Sequence, residues 1–172
     1  MPETEVPGST LVLRRADEAD IPFVMATERR PGYERTVGRW EEAAHRAEML
    51  KPGSAYFIGE RDGHASGFAM LQDLAEPNGN VVLRRIAVAE QGQGVGRAIL
   101  VGVMDWAFAR PVTHRLWLTV APHNEPARRL YRAMGFQEDG ILREAHVNLA
   151  GERITSLLMS ILRPEWEGQR SA

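Results

Sequence analysis

The sequence contains no cysteine among its 172 residues. That excludes disulfides, thiolate metal sites and a cysteine nucleophile, and with the last any covalent cysteinyl intermediate. It also lacks a run of about 18 apolar residues, the length a helix needs to cross a bilayer. A strong net charge is missing too. Against 23 acidic side chains stand 21 Lys and Arg, a formal charge of −2, so no large field favours nucleic acid or an anionic membrane surface. The opening residues have no basic start followed by an apolar stretch, the pattern of a secretory signal. These absences lead us to expect a soluble cytoplasmic protein, with no metal site and no nucleic-acid or membrane partner.

The remaining composition, 44% hydrophobic and 26% charged, is that of an ordinary globular chain, and the length suits one domain. Residues 1–9 are polar and rich in Pro and Gly and are expected to be a flexible tail. Residues 10–164 are expected to form the domain, and residues 165–172 a C-terminal tail. No internal repeat or dividing linker is visible.

Periodicity orders the elements. Residues 11–13 suggest a first strand, and the apolar residues from Ile21 to Met25 behind Asp17 and Asp20 a first helix. Trp40, Ala44, Ala47 and Leu50 recur at helical spacing until Pro52 and Gly53 stop them. Strands follow at 56–58 and 68–71 around Asp62-Gly63, a dipeptide suited to tight hairpins, and another at 81–88. Then come a Gly-rich loop and a helix with Val95, Ile99, Val103 and Trp106 on one face. A strand at 116–120 leads to a helix that Asn124 can cap, where Pro126 loses nothing because its N–H would be unpaired anyway. A hairpin over 142–147 and 154–161 closes the chain. The expected fold is α/β, a single domain with a mixed, mostly antiparallel sheet flanked by helices.

The loop Gln91-Gly92-Gln93-Gly94-Val95-Gly96-Arg97 lies between a strand and the start of a helix. Glycines clear side chains from one side of the turn, so backbone N–H groups can approach a ligand closely. The first amides of a helix are unpaired, and with the helix dipole they suit phosphate. A ligand-free strand-to-helix turn would use the same residues. Two other phosphate motifs fail. Gly96-Arg97-Ala98 lacks the Lys and hydroxyl of a P-loop. The dinucleotide fingerprint needs its third Gly one position later and an acid about 20 residues on, and residues 116–121 contain none.

Further on stands Asn124-Glu125-Pro126-Ala127-Arg128-Arg129-Leu130-Tyr131-Arg132-Ala133-Met134-Gly135-Phe136. With both blocks in order, the chain resembles the GNAT N-acetyltransferase superfamily over about residues 11–162. It is most similar to the branch acting on ribosomal-protein N-termini and on polyamines, through Gly140-Ile141-Leu142-Arg143-Glu144 and the hairpin behind it. It departs from that branch at Thr155 and Ser160, where an Asp and then a Tyr are common, and at Val82, where a Glu is common.

The resemblance implies the acyl-CoA N-acyltransferase fold and acetyl-CoA as acetyl donor. It implies that Gln91, Gly92, Gln93, Gly94, Val95, Gly96 and Arg97 bind pyrophosphate. The backbones of Ala87 and Val88 would pair with the pantetheine arm, which requires the next strand to splay away. Asn124, Ala127 and Arg128 would also meet the cofactor, although Asn124 is explained as a cap and Arg128 as a solvated helix charge. Tyr131 would protonate the departing thiolate; a core tyrosine on the stripe Ala127, Leu130, Tyr131, Met134 is the alternative.

The general base stays open among Glu28, His123, His146 and water, with a surface glutamate the default reading of Glu28. The acceptor is a primary amine of a small molecule or a peptide N-terminus, and room is left for a homodimer. Arg29, Arg30, Arg35 and Arg39 make the first segment basic, which favours an acceptor with a carboxylate over a polyamine. A non-catalytic acyl-CoA sensor is the rival reading.

Overall fold

Side-chain alternation fixes the front of the sheet. Strand β1 (Leu11–Arg15) lies antiparallel to β2 (Ala55–Arg61), and β2 to β3 (His64–Gln72). Asp62 and Gly63 both take positive φ, 53° and 77°, the left-handed pair whose twist matches the flanking strands of a two-residue hairpin. Along β2, Phe57 points to one face of the sheet, while Tyr56 and Ile58 point to the other with Phe68, Met70 and Ala87. Both faces are apolar, so both need cover.

Helices α1 (Ile21–Glu28) and α2 (Glu42–Met49) cover the Tyr56 face through Val24 and Met49. Helix α3 (Val95–Ala109) covers the Phe57 face with Ile99, Leu100, Val103, Met104 and Phe108, each buried. At roughly 1.5–3 kcal/mol per buried large apolar side chain, this helix contributes more to the core than any capping or pairing term can. It sits close: a Cβ on Gly59 or Gly67 would fall 2.6 Å or 2.7 Å from Ile99.

The back half breaks the sheet open. Strand β4 (Asn80–Val88) pairs antiparallel with β3, and parallel with β5 (Arg115–Val120) only from Asn80↔Arg115 to Val82↔Trp117. Beyond Val82 the two strands part. β5 instead stays paired along its whole length with β7 (Arg153–Leu162), and β6 (Gln137–Val147) forms the outer edge on β7, giving the order β1-β2-β3-β4-β5-β7-β6. Helix α4 (Glu125–Ala133) follows β5 and packs Ala127, Leu130 and Tyr131 on the Phe57 side. The splay is the feature that the expected binding role of β4 requires, and sequence could only state it as a condition.

This computed structural model describes residues 10–171; the expected tail over residues 1–9 lies outside them. The other expected tail is a helix, α5 (Arg163–Arg170). Pro164 stands in its first turn, where a missing N–H costs nothing. Trp166 stacks on Phe108 with centroids 5.0 Å apart, Arg170 pairs with Asp105, and Arg163 donates to the carbonyls of Arg110 and Thr113 at 2.7 and 2.6 Å. β6 also starts at Gln137, five residues before the expected position, because the turn at Gly135 leads straight into pairing with Ser160.

Candidate active site

The splay opens a cleft of about 820 Å³. Its floor is the free edge of β4, one end is the Gly loop, and α4 and the end of β5 form one wall. The segment between α1 and α2 and the β6–β7 hairpin form the other.

At the loop end, Gly92 and Gly94 have φ of 77° and 72°. Gly94 is the left-handed N-cap of α3 and supplies no side-chain cap, so the first-turn amides are open to a ligand. No heavy atom lies within 4 Å of a Cβ built at either glycine, so they are required by backbone conformation and by the clear space before them. Gln91, Gly92 and Gly96 border the cleft. Gln93 and Arg97 are exposed, and the Gln93 carbonyl accepts from Arg61 at 2.8 Å. Val95 turns its side chain into the core, which leaves only its amide for binding.

Along β4, Ala89 donates to Ser66 at 2.8 Å, so the backbone groups of Ala87 also face β3 and those of Val88 face the cleft. Of the two residues expected to pair with a pantetheine arm, only Val88 therefore presents its groups there. Both of them are engaged: Val88 N–H donates to the Tyr33 hydroxyl at 3.2 Å, and that hydroxyl donates to Val88 C=O at 3.0 Å.

On α4, Asn124 Oδ1 accepts from Ala127 N at 3.4 Å, a long cap bond, and both residues border the cleft. Arg128 turns elsewhere, to the Pro122 carbonyl, Glu125 and Glu138. Tyr131 is 7% exposed and borders the cleft, 5.7 Å between ring centroids from Phe136. Among the described residues its hydroxyl makes no hydrogen bond. Burial pushes it up to about 12, because desolvation penalises the phenolate. It stays protonated across the physiological range.

Glu28 requires a correction. The expected surface glutamate is 0% exposed and does not border the cleft. Burial alone would raise its carboxyl, but the hydrogen bond from His45 and the Arg85 charge outweigh that and hold it below its ordinary value. It accepts from His45 Nε2 at 2.9 Å and Trp40 N at 3.1 Å, and pairs with Arg85. A carboxylate held down and enclosed in this way is poorly suited to take a proton from a substrate. His45 Nδ1 in turn lies 2.9 Å from the Tyr56 hydroxyl, whose burial raises it. His123 is exposed away from the cleft, whereas His146 borders it.

Sequence reasoning missed Arg85, Trp40 and Tyr33. Arg85 is 7% exposed and stacks over Trp40, with its guanidinium carbon 4.9 Å from the ring centroid. Its signal was an arginine inside an apolar strand, since a charge there needs a buried partner. Tyr33 lies in a stretch that reads only as a helix break.

The comparisons with known proteins fit this geometry. The model of the Acetyltransferase (GNAT) family matches residues 21–136. Streptothricin acetyltransferase of Streptomyces lavendulae is 31% identical over 164 residues, covering 94% of this chain and 82% of that protein. N-alpha-acetyltransferase RimI of Mycobacterium tuberculosis is 33% identical over 107 residues, 60% of this chain and 65% of that protein. Among solved structures, spermidine N-acetyltransferase from Vibrio cholerae in complex with CoA and spermine superposes with a TM-score of 0.80 at 22% identity, covering 91% and 98% of the two chains. The ribosomal-protein-S18-alanine N-acetyltransferase of Escherichia coli gives 0.72 at 26%, covering 89% and 94%. The chain belongs to the GNAT acetyltransferase family. It is an acetyl-CoA-dependent N-acetyltransferase.

Proposed function

We propose that the protein transfers the acetyl group of acetyl-CoA directly to the primary amine of a small molecule. The observation that carries this is the meeting, in one cleft, of the Gly loop, the free edge of β4 and the protonated Tyr131. The donor fits the residues present: the first-turn amides of α3 and the loop glycines suit pyrophosphate, and the Val88 backbone groups suit an extended amide arm. When bound, acetyl-CoA supplies the thioester.

The chain's own residues then have separable tasks. Val88 N–H, once Tyr33 releases it, can donate to a developing oxyanion. Tyr131 holds a proton at its hydroxyl and gives it to the departing sulfur. The absence of cysteine leaves attack by the amine itself as the direct route. His146 borders the cleft and, with water, can accept the proton the amine loses.

A small-molecule acceptor is favoured over a peptide N-terminus because the relative named for streptothricin aligns over 94% of the chain, the acceptor side included, while RimI aligns over 60%. The test is release of CoA thiol from acetyl-CoA across a panel of amines and short peptides. Thiol release restricted to peptides would overturn the small-molecule reading.

A further inference from the structure

Charge is distributed unevenly in the cleft. Arg35, Arg39, Arg84 and Arg85 border it, against the single carboxylate of Glu34. Glu28 neutralises Arg85 from behind, so four guanidiniums less two carboxylates leave a surplus of two positive charges, in a chain whose net charge is −2. Glu34 is itself engaged by the Gly32 amide at 2.9 Å. Arg29, which sequence grouped with this set, is paired with Glu28 and Glu41 and does not border the cleft.

Arg39 is the telling member. Its Nε is buried and has no hydrogen-bond partner among the described residues. An unsatisfied buried donor of a charged group costs about 1–3 kcal/mol or more, and native structures retain few of them. The terminal nitrogens of Arg39 likewise make no hydrogen bond among the described residues, and they, unlike the buried Nε, are open to a ligand oxygen. The position decides which ligand. Arg85 lies three residues before Val88, roughly 10 Å back along β4 at about 3.3 Å per residue, on the side away from the Gly loop. A Cβ on Gly38 would fall 2.7 Å from Arg85 Nη2, so the neighbouring Arg39 stands at the same level, and the surplus charge sits beyond the reacting carbonyl, where the acceptor enters, and not where pyrophosphate binds.

Resting on the proposed transfer to a small amine, we infer that the acceptor carries a carboxylate and that Arg39 binds it, with Arg35 and Arg84 adding to the attracting field. A guanidinium meets a carboxylate with strong charge-assisted hydrogen bonds. A polyamine would bring like charge to the same wall. His146, whose Nε2 is also buried without a partner among the described residues, stands on the β6 side of the cleft.

The experiment uses matched compounds: α-amino acids with apolar, acidic and basic side chains, β-alanine and 4-aminobutyrate, each beside its carboxamide, with spermidine added. Two readouts are taken, thiol release from acetyl-CoA and calorimetric binding to the protein saturated with CoA, which cannot transfer. For at least one pair the carboxylate should exceed its carboxamide about 10–100-fold in kcat/KM and in affinity, the size of one charge-assisted hydrogen bond. Arg39→Gln should bring that ratio near one, and Arg39→Lys should restore part of it. Carboxamides or spermidine preferred in both readouts, a ratio that survives Arg39→Gln, or no carboxylate bound to the CoA complex would each overturn the inference. Absence of thiol release with every amine would strike the transfer reading instead, and the binding readout would still decide on the carboxylate.

Discussion

The two ends of the cleft are built from different materials. The proposed donor end is made of backbone: loop amides, the first turn of α3 and the free edge of β4, with Tyr131 as the one side chain proposed to react. The opposite end rests on side chains from distant segments: Arg85 of β4 borders the cleft, and behind it Glu28 of α1, His45 of α2 and Tyr56 of β2 hold one another. Backbone sites tolerate sequence change as long as φ values and helix starts are kept. Side-chain networks do not, because each buried charge depends on a particular partner. Relatives of 31–33% identity carry the names of different acetyltransferases.

The comparison would break first at Tyr131. Tyr131→Phe keeps the ring against Phe136 and removes only the hydroxyl. We expect kcat to fall by about 10²–10⁴, with affinity for acetyl-CoA little changed. Because burial pushes this hydroxyl up to about 12, ionisation of Tyr131 should not reduce kcat between pH 7 and 10. Near-normal turnover in a folded Tyr131→Phe protein would make the donor end wholly a matter of backbone. Gly94→Asp tests the other part of that end. It forces a side chain onto a residue at φ 72° and sets a carboxylate against the anion site. Binding of acetyl-CoA should drop by at least about tenfold, the scale of one lost charge-assisted interaction. Calorimetry showing unchanged affinity would remove the loop from the site.

Legibility in sequence follows the same division. The Gly loop, the Asn124 cap and the Asp62-Gly63 turn were readable because each is a local constraint on a few consecutive residues. The strand–helix order followed from periodicity. The splay after Val82 was not readable, since it depends on β5 choosing β7 over β4, a competition between partners far apart in the chain. Glu28 was misplaced on the surface for a related reason. An isolated glutamate at a helix end looks solvated until Arg85, 57 positions later, is brought beside it. Helix α5 was not read in residues expected to be a tail, although Pro164 suits a first helical turn.

Glu28 supplies the next prediction, on stability. Glu28→Gln keeps the shape and leaves Arg85 buried without its counter-charge, at a cost of about 3–5 kcal/mol. Denaturant unfolding at pH 7 measures it, and a loss under about 1 kcal/mol would mean that the acceptor-end network is not held by this pair. The pH dependence has a definite sign. The folded carboxyl is held below its ordinary value of 4.5, so its contribution is present above that pH and is lost as the pH falls through the lowered folded value. The wild type should therefore lose stability on acidification below about 4.5 more steeply than Glu28→Gln. Parallel acid limbs for the two proteins would contradict the assignment.

The smallest expected effect joins the two ends. The Tyr33 hydroxyl, carried by the acceptor wall, occupies both backbone groups of Val88 that the donor arm and the oxyanion would use. If the same groups cannot serve both, the donor must displace Tyr33, and its affinity is reduced by the cost of breaking that contact. Tyr33→Phe removes the competitor and keeps the ring in its apolar surroundings. Affinity for acetyl-CoA should then rise by about 2–10-fold, the net value of roughly one hydrogen bond of 0.5–1.5 kcal/mol. The acceptor KM should rise as well, because the segment bearing Arg35 and Arg39 loses its anchor to β4. Opposite movements of the two affinities would mark Tyr33 as the point where the backbone-built end and the side-chain-built end are coupled. A fall in acetyl-CoA affinity would instead make Tyr33 a contact of the donor and leave the two ends independent.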